Sequence, residues 1–290
     1  MNPTKRIIKR RLIIIASIIA FIVLYSAAEK IFIRDNRNIS GIEIHYIDVG
    51  QGDSSLILCG KSAMLIDGGS ADHADYICGY LKKQGVKKLD MLICTHADDD
   101  HAGGLCGAFR SSEVSKVYAP ETKAKSSSYK SFERAVSENK LSAYKPGVGE
   151  KYTLGEISGE FLGPVYEDYD DTNNTSIVVK ITYKERSFLF MGDAEYEEEY
   201  DILNTGEDIK ADVIKVGHHG ADTSSSDELI EKVKPIYGII SVGVDNDYGH
   251  PSDKVLKRFE SFGTEILRTD LSGTIILECD GFHINFKTAR

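Results

Sequence analysis

The chain has 290 residues, 41% hydrophobic and 28% charged, a balance that suits one large globular domain or two small ones and excludes a low-complexity chain. Its formal charge is −10, and five cations, Lys5, Arg6, Lys9, Arg10 and Arg11, crowd its first eleven positions. From residue 29 onward 30 basic residues face 45 acidic ones, so the chain does not advertise the broad basic face that binds long duplex nucleic acid. The four lysines between Lys116 and Lys130 leave room for a local basic patch.

The N-terminal cations lead into an apolar run from Leu12 to Ala28, broken only by Ser17 and Ser26, with no acidic residue before Glu29. As a helix, this run is just long enough to cross the ~30 Å hydrocarbon core of a bilayer. Its cationic flank stays in the cytoplasm, so the chain from Glu29 onward should lie outside. Ser26-Ala27-Ala28 also fits a signal-peptide cleavage site. The length of the run favours an uncleaved single-pass membrane anchor over secretion after cleavage near Ala28. The expected organisation is an anchor or signal segment at 1–28, a stalk at 29–40 and one domain at 41–290. The five cysteines, Cys59, Cys78, Cys94, Cys106 and Cys279, are odd in number and form no CxxC pair, so most read as small buried hydrophobes.

In chain order, strands are expected at 42–49, 55–59 and 63–66, with the glycine turn Gly50-Gln51-Gly52-Asp53 between the first two. A helix at 73–84 carries Ile77, Tyr80 and Leu81 at helical spacing. A buried strand at 89–94 is followed by a short helix at 104–110 and a longer one at 127–139. Strands at 158–162, 176–183 and 187–191 precede a glutamate-rich helix at 194–203, whose Glu195 to Asp201 stretch reads as a solvated face. Strands at 213–216 and 236–242, a helix at 252–262 and strands at 264–268, 273–278 and 282–286 complete the chain. The pattern is α/β, with two packed sheets and helices outside.

The run Thr95-His96-Ala97-Asp98-Asp99-Asp100-His101 places two imidazoles and three carboxylates in six residues directly after a buried strand. Charge at such a position is costly unless compensated, and a divalent metal is the natural compensation for imidazole and carboxylate. Three other strands also end in candidate ligands: Asp67, Asp193, and His218 with His219. Strand ends on one sheet edge meet in space, so these residues converge on one site. His218 and His219 are adjacent; on an extended strand they would point to opposite sides, leaving one as a ligand and the other to bind phosphate or donate a proton. His250 belongs at the rim, as a ligand or phosphate contact, while His45, His73 and His283 have no convergent partners.

These residues resemble the metallo-β-lactamase superfamily, whose HxHxDH pattern stands here as His96-x-Asp98-x-Asp100-His101. More narrowly, the chain resembles the hydrolase domain of ComEC-type competence proteins. The shared segments are Ile47-Asp48-Val49-Gly50-Gln51-Gly52-Asp53-Ser54, Leu65-Ile66-Asp67-Gly68-Gly69, Asn173-Asn174-Thr175-Ser176, Met191-Gly192-Asp193-Ala194-Glu195, Lys215-Val216-Gly217-His218-His219-Gly220 and Tyr248-Gly249-His250-Pro251-Ser252. The resemblance covers that domain only; the many membrane spans of full-length ComEC are not matched. It implies an αββα sandwich with one or two metals at the sheet edge and a metal-activated water attacking a phosphoester. It further implies that His96 and Asp98 bind one ion, and that Asp100 and His101, with His219 or His218, bind the other. Asp193 would bridge the ions and Asp67 would orient an imidazole. Two departures stand out: Asp98 replaces the second histidine of the pattern, and no histidine lies between His101 and His218. Both favour an oxygen-preferring ion such as Mn²⁺ or Mg²⁺ over Zn²⁺ at the first site, or leave it weakly filled.

The expected activity is that of an extracytoplasmic metal-dependent hydrolase of phosphodiesters, with DNA or RNA fragments as leading substrates. Asp100, His218 and His250 are its catalytic candidates, and Gln51, Asn174 and Ser176 its substrate contacts. The Gly50–Ser54 turn could offer backbone N–H groups to an anion, or serve only as a hairpin turn. The rival readings are an esterase for phosphorylcholine or another envelope phosphodiester, which suits the acidic exterior, and a metal-binding module without turnover. Protein partners are not legible. The charge asymmetry around residues 12–28 predicts that a reporter active only outside the cell works when fused after Arg290, and that protease added to intact spheroplasts digests the domain; resistance until lysis of a protease-sensitive domain would overturn the topology.

Overall fold

The computed structural model describes residues 39–122 and 125–290, all within one compact unit spanning Arg37–Arg290. The expected anchor or signal segment at 1–28 and nearly all of the expected stalk at 29–40 lie outside the described residues. Among the described residues no helix is long and apolar enough to cross a membrane.

Two sheets face each other. In spatial order the first contains Ile284–Thr288, Ile275–Cys279, Ile42–Tyr46, Ser55–Cys59, Ser62–Ile66, Met91–Ile93, Val117–Tyr118 and Ala143–Tyr144. The second contains Glu265–Arg268, Tyr237–Ile240, Val213–Lys215, Arg186–Phe190, Val179–Tyr183, Ile157–Phe161 and Lys151–Leu154. Strand alternation splits the apolar residues between layers. Ile57, Met64, Ile181, Phe188 and Val213 fill the space between the sheets, where Tyr46 stacks on Phe190. Leu56, Leu58, Leu65 and Leu92 face outward beneath the helices Ala74–Lys83 and Ser127–Glu138. Leu189, Ile214 and Ile240 do the same beneath Tyr196–Thr205, Asp227–Val233 and Asp253–Ser261. The result is the expected four-layer α/β sandwich. Strands covered on both faces are buried at every position, as Ser55–Cys59 is.

Most expected elements form, with shifted ends. The histidine run itself ends in a helical turn that was not expected, Asp99–Ala102, which contains Asp100 and His101, and the helix expected over 104–110 forms as Cys106–Phe109. The strand expected from 176 begins at Val179, because 172–175 form a tight helical turn. The short strands Val117–Tyr118, Ala143–Tyr144 and Lys151–Leu154 were not expected; they form because a neighbouring strand is there to receive them. The helix Asp227–Val233 was not expected either, although Ser226 caps it by accepting from Leu229 N–H and Asp227 and Glu228 occupy its first turn. All five cysteines are free, with Cys59, Cys94 and Cys279 buried.

The strands that matter for function run parallel. Ser62–Ile66 pairs parallel with Met91–Ile93, and Arg186–Phe190, Val213–Lys215 and Tyr237–Ile240 are mutually parallel. Their C-terminal ends share one edge of the sandwich, where Ile177 N–H donates to Thr95 O across the two sheets. Glycines let the loops there approach closely: a Cβ on Gly104 would sit 1.9 Å from Gly68 O, and one on Gly68 2.5 Å from Leu105 N. That approach brings Gly68 N–H onto His101 O at 2.8 Å. Gly104→Ala is therefore expected to destabilise the fold by about 1–3 kcal/mol, as overpacked sites do, read as a lowered urea midpoint.

Candidate metal centre

Asp193, just past Arg186–Phe190, sits at the focus of the edge. Its Oδ2 lies 3.2 Å from His101 Nε2, 3.3 Å from His219 Nε2, and 3.9 Å from both His96 Nε2 and His218 Nε2. Asp100 Oδ2 is 3.3 Å from His219 Nε2, and Asp98 Oδ2 is 3.9 Å from His96 Nε2. His96, His101, Asp193 and His219 are buried, whereas Asp98, Asp100 and His218 line the open side with side chains 45%, 32% and 24% exposed.

The protein holds each ring by its other nitrogen. His101 Nδ1–H donates to Asp67 Oδ2 at 2.9 Å, His218 Nδ1–H to Glu195 Oε1 at 2.8 Å, and His219 Nδ1–H to the Ser241 carbonyl at 2.9 Å. Thr95 gives its hydroxyl proton to Asp67 Oδ2 at 2.7 Å, so towards His96 Nδ1, 3.1 Å away, it can only accept. All four rings therefore carry their proton on Nδ1 when neutral and turn an Nε2 lone pair inward. Nε2 of His96, His101 and His219, and Oδ1 of Asp193, are buried without a hydrogen-bond partner. Buried polar atoms are almost always satisfied, and this nitrogen-and-oxygen donor set suits a divalent cation. His96, His101 and Asp193 each place a ligand atom within 4.8 Å of the others.

Electrostatics agree for the protein's own charges. Burial opposes the charged forms of His101 and His219, yet Asp193 and the other carboxylates outweigh it and hold both well above the ordinary histidine value. Burial would push Asp193 up, but His101 and His219 pull it well below the usual carboxylate range. For His96 burial wins, then His101 adds, and its pKa falls to about 4.

His96, Asp98, Asp100, His101, Asp193, His218 and His219 thus come together, with Asp67 behind His101. His218 and His219 are not on an extended strand: both are left-handed, with φ of 46° and 53°, which turns both rings towards Asp193 rather than to opposite sides. His250 stands at the rim, its ring 5.6 Å from His218 and stacked on the exposed Tyr248. The side chains expected to contact substrate are engaged within the protein. Asn174 is buried and its Oδ1 accepts from Glu195 N–H and Glu198 N–H, capping the helix Tyr196–Thr205. Ser176 is buried and its Oγ accepts from Asp193 N–H at 3.0 Å. Gln51 Oε1 accepts from Gly243 N–H, and Asp53 N–H in the glycine turn is taken by Asp100 O, so it is not free for an anion. The glutamate-rich helix is no solvated face, because Glu198 and Glu199 are buried and Glu195 holds His218. Between His101 and His218 the chain supplies hydroxyls rather than an imidazole: Thr172 donates to Asp98 Oδ1 at 3.2 Å.

Sequence reasoning missed Asp53, Glu195, Thr95 and Lys215. The available signal was Lys215 itself, a charge ending the apolar run Val213-Ile214, which demands a buried partner.

The metallo-beta-lactamase superfamily profile matches residues 47–244. The chain is 32% identical over 251 residues to ComE operon protein 3 of Bacillus subtilis (strain 168), covering 80% of this chain and 32% of that protein. It is 30% identical over 230 residues to competence protein ComA of Neisseria gonorrhoeae, covering 79% of this chain and 31% of that protein. This chain spans about a third of the length of these curated relatives. CmlA, a diiron β-hydroxylase from Streptomyces venezuelae, shares the fold with a TM-score of 0.57 at 15% identity, over 83% of this chain and 54% of that one. With fold, site and profile in agreement, the chain belongs to the metallo-β-lactamase superfamily.

The raised values at His101 and His219 fix a pH dependence. A raised histidine stabilises fully below its unfolded value near 6.5 and loses that contribution as pH climbs through the folded value. The chelator-stripped chain should therefore lose thermal stability from about pH 6.5 upward, followed by circular dichroism. Divalent-ion affinity should rise over the same range, since binding must release those protons.

Proposed function

We propose that this chain is a metal-dependent phosphodiester hydrolase of nuclease type, held at the outer face of the cytoplasmic membrane by residues 12–28. The observation that carries the reading is the set of four Nε2 atoms, with Asp98 and Asp100, gathered around Asp193 Oδ2. A divalent cation supplies Lewis acidity towards a phosphoryl oxygen and activates water near neutral pH. His96, Asp98 and Asp193 would hold one ion, and Asp100, His101, His219 and Asp193 the other. Asp67, Glu195, Thr95 and Ser241 keep the rings aimed. His218, part-exposed and charged more readily than an ordinary histidine because Glu195 and Asp193 outweigh its burial, would give a proton to the departing oxygen. His250 lines the rim beside it. The ComEC-type resemblance and the competence name of one relative support a nucleic-acid phosphodiester.

A second reading rests on a cleft of about 850 Å³ that includes Thr172, the partner of Asp98. Glu121, Glu133, Glu167, Asp168 and Asp170 line it against Lys125 and Lys145, which are themselves paired with Glu133 and Glu167. Such a wall repels a polyanion and suits a small phosphodiester with a neutral or cationic group, such as a phosphorylcholine-bearing head group.

One assay set separates the readings: bis-p-nitrophenyl phosphate, single-stranded DNA and a phosphorylcholine diester. The first reading expects DNA cleavage; turnover confined to the choline diester would favour the second, and no turnover with metal bound would favour a non-catalytic module. Asp100→Ala and Asp193→Ala should each cut turnover by more than the about 10–100-fold typical of outer positioning partners while the fold stays intact. With Asp98 in the loop, Mn²⁺ should restore more activity to stripped enzyme than Zn²⁺ at matched occupancy; the reverse order would contradict the reading of the first site.

A further inference from the structure

We propose that the buried ion pair Asp53–Lys215 is a positioning device for the half of the metal centre that contains Asp100 and His219. The proposal rests on the metal-centre reading above and adds to it two residues with no assigned role.

Lys215 ends the strand Val213–Lys215, four positions before His219, with its side chain 2% exposed. Its Nζ lies 2.7 Å from Asp53 Oδ2 and donates to Val216 O at 2.8 Å. Asp53, 6% exposed at the side chain, reaches both candidate ligands. Its N–H donates to Asp100 O at 3.1 Å, and its Oδ1 lies 3.2 Å from His219 Nδ1. That oxygen has no hydrogen bond of its own, since the ring N–H is aimed at Ser241 O. It acts there as a charge. A negative charge beside Nδ1 favours the proton on that nitrogen and leaves the Nε2 lone pair facing Asp193 and Asp100. The approach is close by construction: Gly52 has φ near +130°, and a Cβ there would lie 2.4 Å from Asp100 O.

The ammonium has a reason to be present. Asp53, Asp67, Asp98, Asp100 and Asp193 crowd one edge, and Asp67 is held only by the neutral donors of Thr95 together with His101. Lys215 lies against one of these carboxylates, so Asp53 is paired within the protein while it stands beside His219. A buried ion pair gains little stability over an apolar pair of similar volume, so its contribution is orientation rather than fold.

The test removes both charges at once, so that neither is left buried and unpaired. The full chain carrying Asp53→Asn and Lys215→Met together is stripped with chelator and titrated with Mn²⁺ by calorimetry beside the wild type. We expect cooperative unfolding to be retained, Mn²⁺ affinity to fall by about 10–100-fold, and turnover to be regained as Mn²⁺ is raised. A folded double variant with wild-type Mn²⁺ affinity would overturn the proposal. A double variant that no longer folds would overturn it too, by showing that the pair serves the fold. A wild-type chain that takes up neither Mn²⁺ nor Zn²⁺ would overturn the metal-centre reading itself, and this proposal with it.

Discussion

Asp67, Glu195, the Ser241 carbonyl and the Thr95 hydroxyl each hold the Nδ1 side of one imidazole, and the rest of the site depends on those four holds. A ring tethered at Nδ1 has its other nitrogen aimed for it. With four rings tethered around Asp193, four Nε2 atoms and a carboxylate point into the same small space. A flexible histidine would lose side-chain entropy on binding a ligand; these have already lost it in folding. The interaction that orients the donors is thus also the one that makes them ready to act.

Such an arrangement works against the fold in two ways. Three buried ring nitrogens and two buried carboxylate oxygens, on Asp53 and Asp193, go without partners, each a desolvation cost that a packed core would avoid. Two consecutive histidines are held in the left-handed region, at a cost on the order of 1–3 kcal/mol each. At the site, both costs fall on the one edge where the loops meet. The three apolar layers, one between the sheets and one under each helical face, are continuous and carry the stability that the edge gives up.

Parallel strands explain why the edge is the place. Neighbouring parallel strands end together, so loops from Ser62–Ile66, Met91–Ile93, Arg186–Phe190, Val213–Lys215 and Tyr237–Ile240 leave the sandwich side by side. Each can deliver a polar residue without disturbing the apolar run that precedes it. The glycines at 52, 68 and 104 then allow the loops to touch backbone to backbone, which is what brings Asp53 to Asp100 and Asp67 to His101.

The ligand candidates were legible from the chain because each comes directly after an apolar run that ends abruptly in charge. His96 to His101, Asp67, Asp193 and the His218-His219 pair all carry that local signature, and the main strands and the helix with Ile77, Tyr80 and Leu81 were legible from the same periodicity. The features that were not legible depend on partners distant in the chain. Nothing near Asn174 or Ser176 says that their side chains are consumed beneath the site by backbone N–H groups of another segment. Nothing in a run of glutamates says that Glu198 and Glu199 turn inward. The backbone that turns His218 and His219 the same way is decided by the loops packed around it. Asp53 finds Lys215 only because two different sheets meet at one edge. Sequence by itself determined which polar residues follow the apolar runs and roughly where the main strands lie, since hydrophobic periodicity is local. Tertiary structure alone decided which of them face the centre and which support it, since orientation is set by contacts that only the folded chain brings together.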